Sequence, residues 1–475
     1  MSTLTELGRV HFLGMAGVGV SAIARLMLTE GVPISGTDGK DLPVLDEFRA
    51  AGVPVRVGYA GENIASVEAE AGEPVDTVVA SSVAKAGRNA EYDAAAAAGK
   101  RMLHRSEGLA ACMSAKRGIA VAGTHGKTTT SSMTAVMLHA AGLEPSFAIG
   151  ATVAGFGTNA QPGSGEWFVA EADESDGTLV NYSPEIAIVT NVEPDHLDHY
   201  SSAEEFEQVF VTFSGNILPG GALVLCADDD GARALEQRVA AELARRRVTL
   251  TTYGFSEDAG LRITEHTEDF SGQQFTLTRG DAAAQVRLRA PGRHNALNAA
   301  AAVGTGLQAG LSLAQAAEAV GEFAGSSRRF ERRGEVAGIR VIDDYAHHPT
   351  ELAAVLSAAR SAVGGGAVHA VFQPHLFSRT QAFAREFGQE LSAADTAAVL
   401  EIYPAREEPI EGVTAGLLGH PVHTWQGAVD AVVDAAEPGD IILTLGAGDV
   451  TELGDRIVEA LQRARPHESN VVDGS

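Results

Sequence analysis

Cysteine is almost missing from this chain. Its 475 residues hold two, Cys112 and Cys226, far apart and outside any metal-ligand spacing, which excludes a disulfide framework and fits a reducing cytoplasm. Basic residues are also scarce. Lys and Arg number 35 against 62 Asp and Glu, a net charge of −27, and so acidic a chain lacks the basic face that nucleic acid requires of a bulk partner. The charge excess reads instead as a solvated surface that keeps the protein soluble. No apolar run approaches the ~20 residues that span a bilayer. The start, Met1-Ser2-Thr3-Leu4-Thr5-Glu6, has neither a basic nor an apolar leader segment, so no secretion signal and no membrane partner are expected. No repeat of solenoid period is present.

What remains is a long, ordinary globular composition, 45% hydrophobic and 20% charged, with enough chain for two to four domains. Apolar strands alternate with helical stretches. Val10–Leu13 is followed by a glycine cluster and a helical run to Leu28; Val32–Ser35 reads as a second strand ending at Asp38, and Thr77–Ala80 as a third. The alanine block Ala94–Ala98 reads as helix. A second unit opens near Glu107 and carries the strands Gly118–Ala122, Trp167–Glu171 and Ile186–Asn191, then an antiparallel-looking patch over Val248–Arg289. Past Gly325-Ser326-Ser327-Arg328-Arg329 a third α/β unit holds Ile339–Asp344, Val368–Phe372 and Ile441–Gly448. The expected fold is therefore α/β with three domains, 1–106, 107–325 and 326–475, built on parallel, doubly wound sheets.

Gly123-Thr124-His125-Gly126-Lys127-Thr128-Thr129 carries the most information. A strand runs in, a glycine-rich turn follows and a helix begins, so backbone N–H groups and a helix dipole converge on one point that suits phosphate. Lys127 would reach the terminal phosphates of a nucleotide, taken as ATP, and the Thr128 hydroxyl a Mg²⁺ ion. The usual first glycine of such loops is replaced by Val121; the cradle is a shortened variant. Glu171, at the end of a neighbouring strand in Glu-Ala-Asp-Glu-Ser-Asp-Gly, is placed to hold Mg²⁺ opposite Thr128. His196, in Asn-Val-Glu-Pro-Asp-His, is a second metal candidate.

Other constellations admit two readings. Gly14, Gly17 and Gly19 form Gly-x-x-Gly-x-Gly with Asp38 downstream; alone this favours a dinucleotide, or mere helix–strand packing. Asn295 suits an adenine edge or the N-cap of the alanine-rich helix that follows it. His347 and His348 are adjacent, and neighbours on an extended chain point apart, which argues against zinc. Arg379 and the pair Arg328-Arg329 match carboxylate or phosphate geometry.

Read in order along the chain, the motifs Gly-Met-Ala-Gly-Val-Gly-Val-Ser, Gly-Thr-His-Gly-Lys-Thr-Thr, Glu-Ala-Asp-Glu-Ser-Asp-Gly, Asn-Val-Glu-Pro-Asp-His, His-Asn-Ala-Leu-Asn, Asp-Asp-Tyr-Ala-His-His-Pro and Gln-Pro-His-Leu-Phe-Ser-Arg-Thr resemble those of the Mur ligases, ATP-dependent amide-forming enzymes of peptidoglycan assembly. The last two are most like the branch that joins L-alanine to UDP-N-acetylmuramate; the alternative is the recycling branch that attaches a tripeptide to the same sugar. The resemblance implies a Rossmann-like UDP-binding N-terminal domain, a central P-loop ATPase-like domain and a Rossmann-like C-terminal domain, in a monomer or weak homodimer. It reassigns the first glycine cluster to the UDP diphosphate, with Gly14, Gly17, Gly19, Ser21, Asp38, Ser81, Ser82, Thr158 and Asn159 expected around the UDP-sugar. Gly123, Thr124, His125, Gly126, Lys127, Thr128 and Thr129 would hold the ATP phosphates, Asn295, Asn298 and Arg329 would serve the same nucleotide, and Asp343 or Asp344 its ribose. Thr128, Glu171 and His196 are the implied metal ligands, and Lys127, Glu171, His196, His348 and Arg379 the implied catalytic set. Relatives that add later residues carry a carbamylated lysine after the metal histidine; here Glu207–Thr212 contains none, as in the alanine-adding branch.

Overall fold

The computed structural model describes residues 3–81, 84, 86–195, 200–269, 271–405 and 407–465. Ser82 and His196, both expected in the site, lie outside the described residues. By internal contacts the chain forms two units: Met1–Arg262 with Thr278–Ala283 and Asn298–Glu322, and Ile263–Leu277 with Ala284–Leu297 and Phe323–Ser475.

The first unit begins with five parallel strands, β1 (Val10–Leu13), β2 (Ile34–Asp38), β3 (Val55–Val57), β4 (Thr77–Ala80) and β5 (Arg101–His104), in the order β3-β2-β1-β4-β5. Helices α1 (Val18–Thr29), α2 (Val44–Ala50), α3 (Asn63–Ala71) and α4 (Ala90–Ala97) make the crossovers. The second strand starts at Ile34, two residues later than its sequence suggested, and runs on through Asp38; Pro33 has no N–H for a ladder and contributes only its carbonyl, to the N–H of Val10. The order reverses between β1 and β4, so a crevice opens outside their carboxyl ends. Asn89 caps α4 by accepting from the N–H groups of Glu91 and Tyr92.

After α5 (Arg105–Met113) comes the central sheet: β6 (Arg117–Ala122), then α6 (Lys127–Ala140), β7 (Ser146–Val153), β8 (Thr158–Gln161), β9 (Trp167–Glu171), β10 (Ile186–Val189), α7 (Ala203–Gly215), β11 (Ala222–Cys226), α8 (Asp230–Arg245) and β12 (Thr249–Gly254). Its order is β12-β11-β10-β6-β9-β7-β8, parallel except for β8. Ile119, Ala120 and Val121 are wholly buried, as a strand covered on both faces demands. Along α7, Phe206, Phe210 and Phe213 repeat at helical spacing and are all at 0% exposure. The thiols of Cys112 and Cys226 are free and buried; burial pushes them up to about 12 and about 11.

The patch read as antiparallel divides. Strand β12 pairs parallel with β11, and β13 (Leu261–Asp269), β14 (Gly272–Arg279) and β15 (Ala282–Leu288) follow one another in the sheet. Thr264 bonds the Thr276 carbonyl and Thr278 that of Arg262, contacts that step in opposite directions along β13 and β14 as antiparallel neighbours do.

Helix α9 (Arg293–Gln308) begins two residues before Asn295, which corrects the capping expectation: Asn295 sits inside the first turn and its Nδ2 donates to the Pro291 carbonyl at 2.7 Å. After α10 (Leu313–Val320) the second unit builds a sheet from β16 (Glu331–Val336), β17 (Ile339–Asp344), β18 (Val368–Phe372), β19 (Thr396–Val399) and β20 (Ile441–Leu445), ordered β16-β17-β20-β18-β19. It is parallel but for β16. Helices α11 (Pro349–Val363), α12 (Phe377–Leu391), α13 (Trp425–Ala435) and α14 (Glu452–Ala464) complete it. One apolar cluster gathers Leu352, Leu356, Phe372 and Phe387, the other Val341, Val371, Val432 and Ile457.

Candidate active site

The turn between β6 and α6 is shaped by its neighbours. Gly123 has φ +136°, and a Cβ there would stand 2.0 Å from Thr190 Oγ1; Gly126 has φ +81° and faces the Asn298 side chain. Both positions exclude a side chain. Asn191, just past β10, clamps the loop: its Oδ1 accepts the His125 N–H at 2.8 Å while its Nδ2 donates to the His125 carbonyl at 2.9 Å. Thr124 Oγ1 accepts from the Glu193 N–H at 2.9 Å. Asn298 sits beside Gly126 and accepts from Thr130 Oγ1 at 3.1 Å.

Lys127, Thr128 and Thr129 form the first turn of α6. The Lys127 ammonium donates to the carbonyls of Gly123 and Thr124 at 2.7 and 2.8 Å and is paired by both Glu174 oxygens, at 2.8 and 2.7 Å. Burial opposes its charge, but Glu174 more than compensates and raises its pKa. Thr128 Oγ1 lies 3.0 Å from Glu171 Oε1, whose other oxygen accepts the Gly150 N–H at 2.8 Å. Asp173 pairs with Arg105 at 2.7 Å. Burial alone would raise the Asp173 carboxyl; Arg105 and Lys127 instead hold it down at about 2. Thus three acids of one loop, Glu171, Asp173 and Glu174, face three different partners.

At the crevice between β1 and β4, Gly14 has φ +77°, and a Cβ there would be 3.8 Å from Ser81 Oγ and 3.6 Å from Tyr59 Oη. Asp38 accepts the Ala16 N–H at 2.9 Å and the Lys40 N–H at 3.1 Å, so its carboxylate fixes the loop before α1. Gly17 is the residue before α1, and Ser21 Oγ turns inward to the Val18 carbonyl at 3.1 Å. Asn159 reaches the same turn, with Nδ2 3.4 Å from the Val18 carbonyl; Thr158 Oγ1 donates to the Ala160 carbonyl. Arg105 and Tyr59 belong to this crevice and were missed. Arg105 follows the short strand β5, which has no alternation to mark it, and Tyr59 is a lone aromatic in the loop after β3; the signal available was an arginine just past a strand's carboxyl end.

In the second unit, Asp343 is wholly enclosed: Thr444 and Thr451 donate to it at 2.6 and 2.8 Å, and Arg328 stands 3.4 Å away. Asp344 accepts the N–H groups of Phe330 and Ala346, and burial pushes its carboxyl up to about 6 against the pull of Arg329. The guanidiniums of Arg328 and Arg329 lie 4.8 and 5.1 Å from the Tyr345 ring centroid. His347 Nδ1–H donates to the Tyr345 carbonyl at 2.9 Å, because that oxygen can only accept; burial lowers its pKa to about 3. His348, 3% exposed, is the residue before α11 and packs edge-on against Phe383 at 4.9 Å. Arg379 is 8% exposed in the first turn of α12. The expected residues therefore fall into a cradle group and a crevice group in the first unit and an arginine–histidine–carboxylate group in the second.

Parallel sheets with a phosphate cradle, an opposed threonine–carboxylate pair and a glycine-lined crevice define an α/β enzyme of the nucleotide-using class. Residues 9–117 match the Mur ligase family, catalytic domain; 121–306 match the Mur ligase middle domain; and 328–448 match the Mur ligase, glutamate ligase domain. The UDP-N-acetylmuramate–L-alanine ligase of Paenarthrobacter aurescens is 51% identical over 463 residues, covering 96% of this chain and 98% of that one. The protein of the same name from Streptomyces coelicolor is 45% identical, covering 97% and 99%. Among solved structures, the UDP-N-acetylmuramate-alanine ligase of Thermotoga maritima is 25% identical with a TM-score of 0.76, covering 96% and 99% of the two chains. The murein peptide ligase of Psychrobacter arcticus gives 25% and 0.67, covering 96% and 98%. The chain belongs to the Mur ligase family.

Proposed function

We propose that this enzyme joins L-alanine to the lactyl carboxylate of UDP-N-acetylmuramate at the expense of ATP, in cytoplasmic peptidoglycan precursor synthesis. The observation that carries the reading is the acidic loop Glu171–Glu174, which faces Lys127 and Thr128 at the cradle and Arg105 at the crevice and so serves a nucleotide and an acceptor together. Full-length likeness to alanine-adding ligases at 51% and 45% identity, and a TM-score of 0.76 against 0.67 for the murein peptide ligase at the same 25% identity, favour alanine over a tripeptide as the incoming group.

In this reading the domains run 1–106, 107–325 and 326–475, for UDP-sugar, ATP and amino acid respectively. The acceptor carboxylate oxygen attacks the γ-phosphorus, and the bond to the β-phosphate oxygen breaks, giving an acyl phosphate and ADP. Lys127 leaves its loop carbonyls to neutralise charge on the transferring group. The alanine amine, deprotonated with help from His348, then attacks the acyl carbon; collapse of the tetrahedral adduct expels phosphate. Arg379 binds the alanine carboxylate, and Arg329 with Asn295, Asn298, Asp343 and Asp344 attends the nucleotide. Thr128 and Glu171 offer hard oxygen donors 3.0 Å apart, a set that fits Mg²⁺, and His196 completes it in this proposal; the ion supplies charge neutralisation at the phosphates.

The test is ADP release from Mg-ATP and UDP-N-acetylmuramate with one amino acid at a time. Release that requires both the sugar nucleotide and L-alanine is expected. Release with the tripeptide alone would transfer the enzyme to the recycling branch, and tight ATP binding without release would refute ligase activity.

A further inference from the structure

The crevice that faces the UDP diphosphate has a charge problem. The loop from Gly14 to Ser21 contains no basic residue, and Asp38 adds a carboxylate to it. A diphosphate brought there needs a cation from elsewhere, because backbone N–H groups alone supply only partial charge.

Arg105 is placed to be that cation. It follows β5 at the carboxyl edge of the same sheet and opens α5. Its Nη1 stands 3.3 Å from where a Cβ on Gly19 would lie, directly over the first turn of α1. Its Nη2 is held by Asp173 Oδ2 at 2.7 Å. The guanidinium thus has one edge fixed and another turned to the glycine turn, and its planar fork suits two acceptors at once. Gly19 gains a reason beyond backbone freedom: any side chain there would press on the arginine.

Resting on the function proposed above, we propose that Arg105 binds the diphosphate of the sugar nucleotide and that Asp173 is the positioning residue that aims it. Asp173 belongs to the loop that carries Glu171 and Glu174. The same arginine therefore ties the acceptor's diphosphate to the stretch of chain that faces Lys127 and Thr128. No covalent step is involved; the arginine exchanges hydration for phosphate oxygens while keeping its carboxylate.

Calorimetric titration with UDP and with UMP, on wild type, Arg105→Ala and Arg105→Lys, tests this, with a non-hydrolysable ATP analogue titrated in parallel. Loss of the arginine should weaken UDP by about 10- to 100-fold, the range of a hydrogen bond to a charged group. UMP should weaken less, and the ATP analogue should bind within about twofold of wild type. Lysine should restore part of the loss. Because Arg105→Ala strands the Asp173 carboxylate, Asp173→Asn serves as a second variant: it should raise the KM for the sugar nucleotide and leave that for alanine unchanged. Equal UDP binding by wild type and both Arg105 variants would overturn the assignment, as would parallel loss of UDP and ATP-analogue binding. Wild type that binds no UDP would sink the functional reading instead, so the two failures are distinguishable.

Discussion

Lys127 and Glu174 form a nearly buried ion pair, with side-chain exposures of 14% and 2%. Removing one member of such a pair leaves a largely buried charge without its direct counter-ion. Glu174→Ala should cost about 3 kcal/mol of stability in urea denaturation, and Lys127→Met combined with Glu174→Leu should recover most of it while remaining inactive. Lys127→Ala should lower kcat by at least about 10³-fold with UDP binding intact; a loss under tenfold would remove the lysine from the chemistry. His347 carries a pH signature. Burial holds it neutral down to about 3, whereas an unfolded histidine takes a proton near 6.5. Between those values the unfolded state binds more protons, so stability is full above pH 6.5 and falls as pH drops. His294, lowered to about 4 by burial, acts in the same sense. His347→Gln should therefore flatten, without abolishing, the slope of stability against pH between 6.5 and 4.

Among the elements, strands decide where chemistry gathers. Gly14, Asp38, Ser81, Glu171 and Asn191 all stand at or just beyond the carboxyl ends of β1, β2, β4, β9 and β10, and that was legible because apolar runs ending in polar residues are local patterns. The partners of those residues were not. That Glu174 faces Lys127, that Asp173 holds Arg105, and that Asn298 fills the space beside Gly126 depend on strand order, which no window of sequence contains. The start of α9 was misplaced for a similar reason: Arg293 and His294 lack the look of a helix start, and Asn295 drew the boundary to itself. The Asn191 clamp yields a prediction at this scale. Asn191→Ala removes both bonds to His125 and should raise the KM for ATP about tenfold, leaving UDP affinity alone; an unchanged KM would show that Thr124 and Glu193 suffice to hold the loop.

The whole molecule carries far more acid than base, −27 in net charge, and its surface pairs, such as Arg49 with Asp41 and Arg245 with Glu242, lie in water and add little individually. Self-repulsion should outweigh them. Raising KCl to about 0.5 M, where screening shortens to a few ångströms, should raise the melting temperature; a fall would mean that the ion pairs dominate. No described helix is long and apolar enough to cross a membrane. The two sheltered thiols make the chain its own clock. With Cys112 pushed to about 12 and Cys226 to about 11, a disulfide dye added to native enzyme finds almost no thiolate to attack. Its colour should develop only as α5 or the end of β11 opens, at a rate set by that opening. A single reactive cysteine engineered elsewhere could then be labelled against a silent background, with no need to delete the native pair.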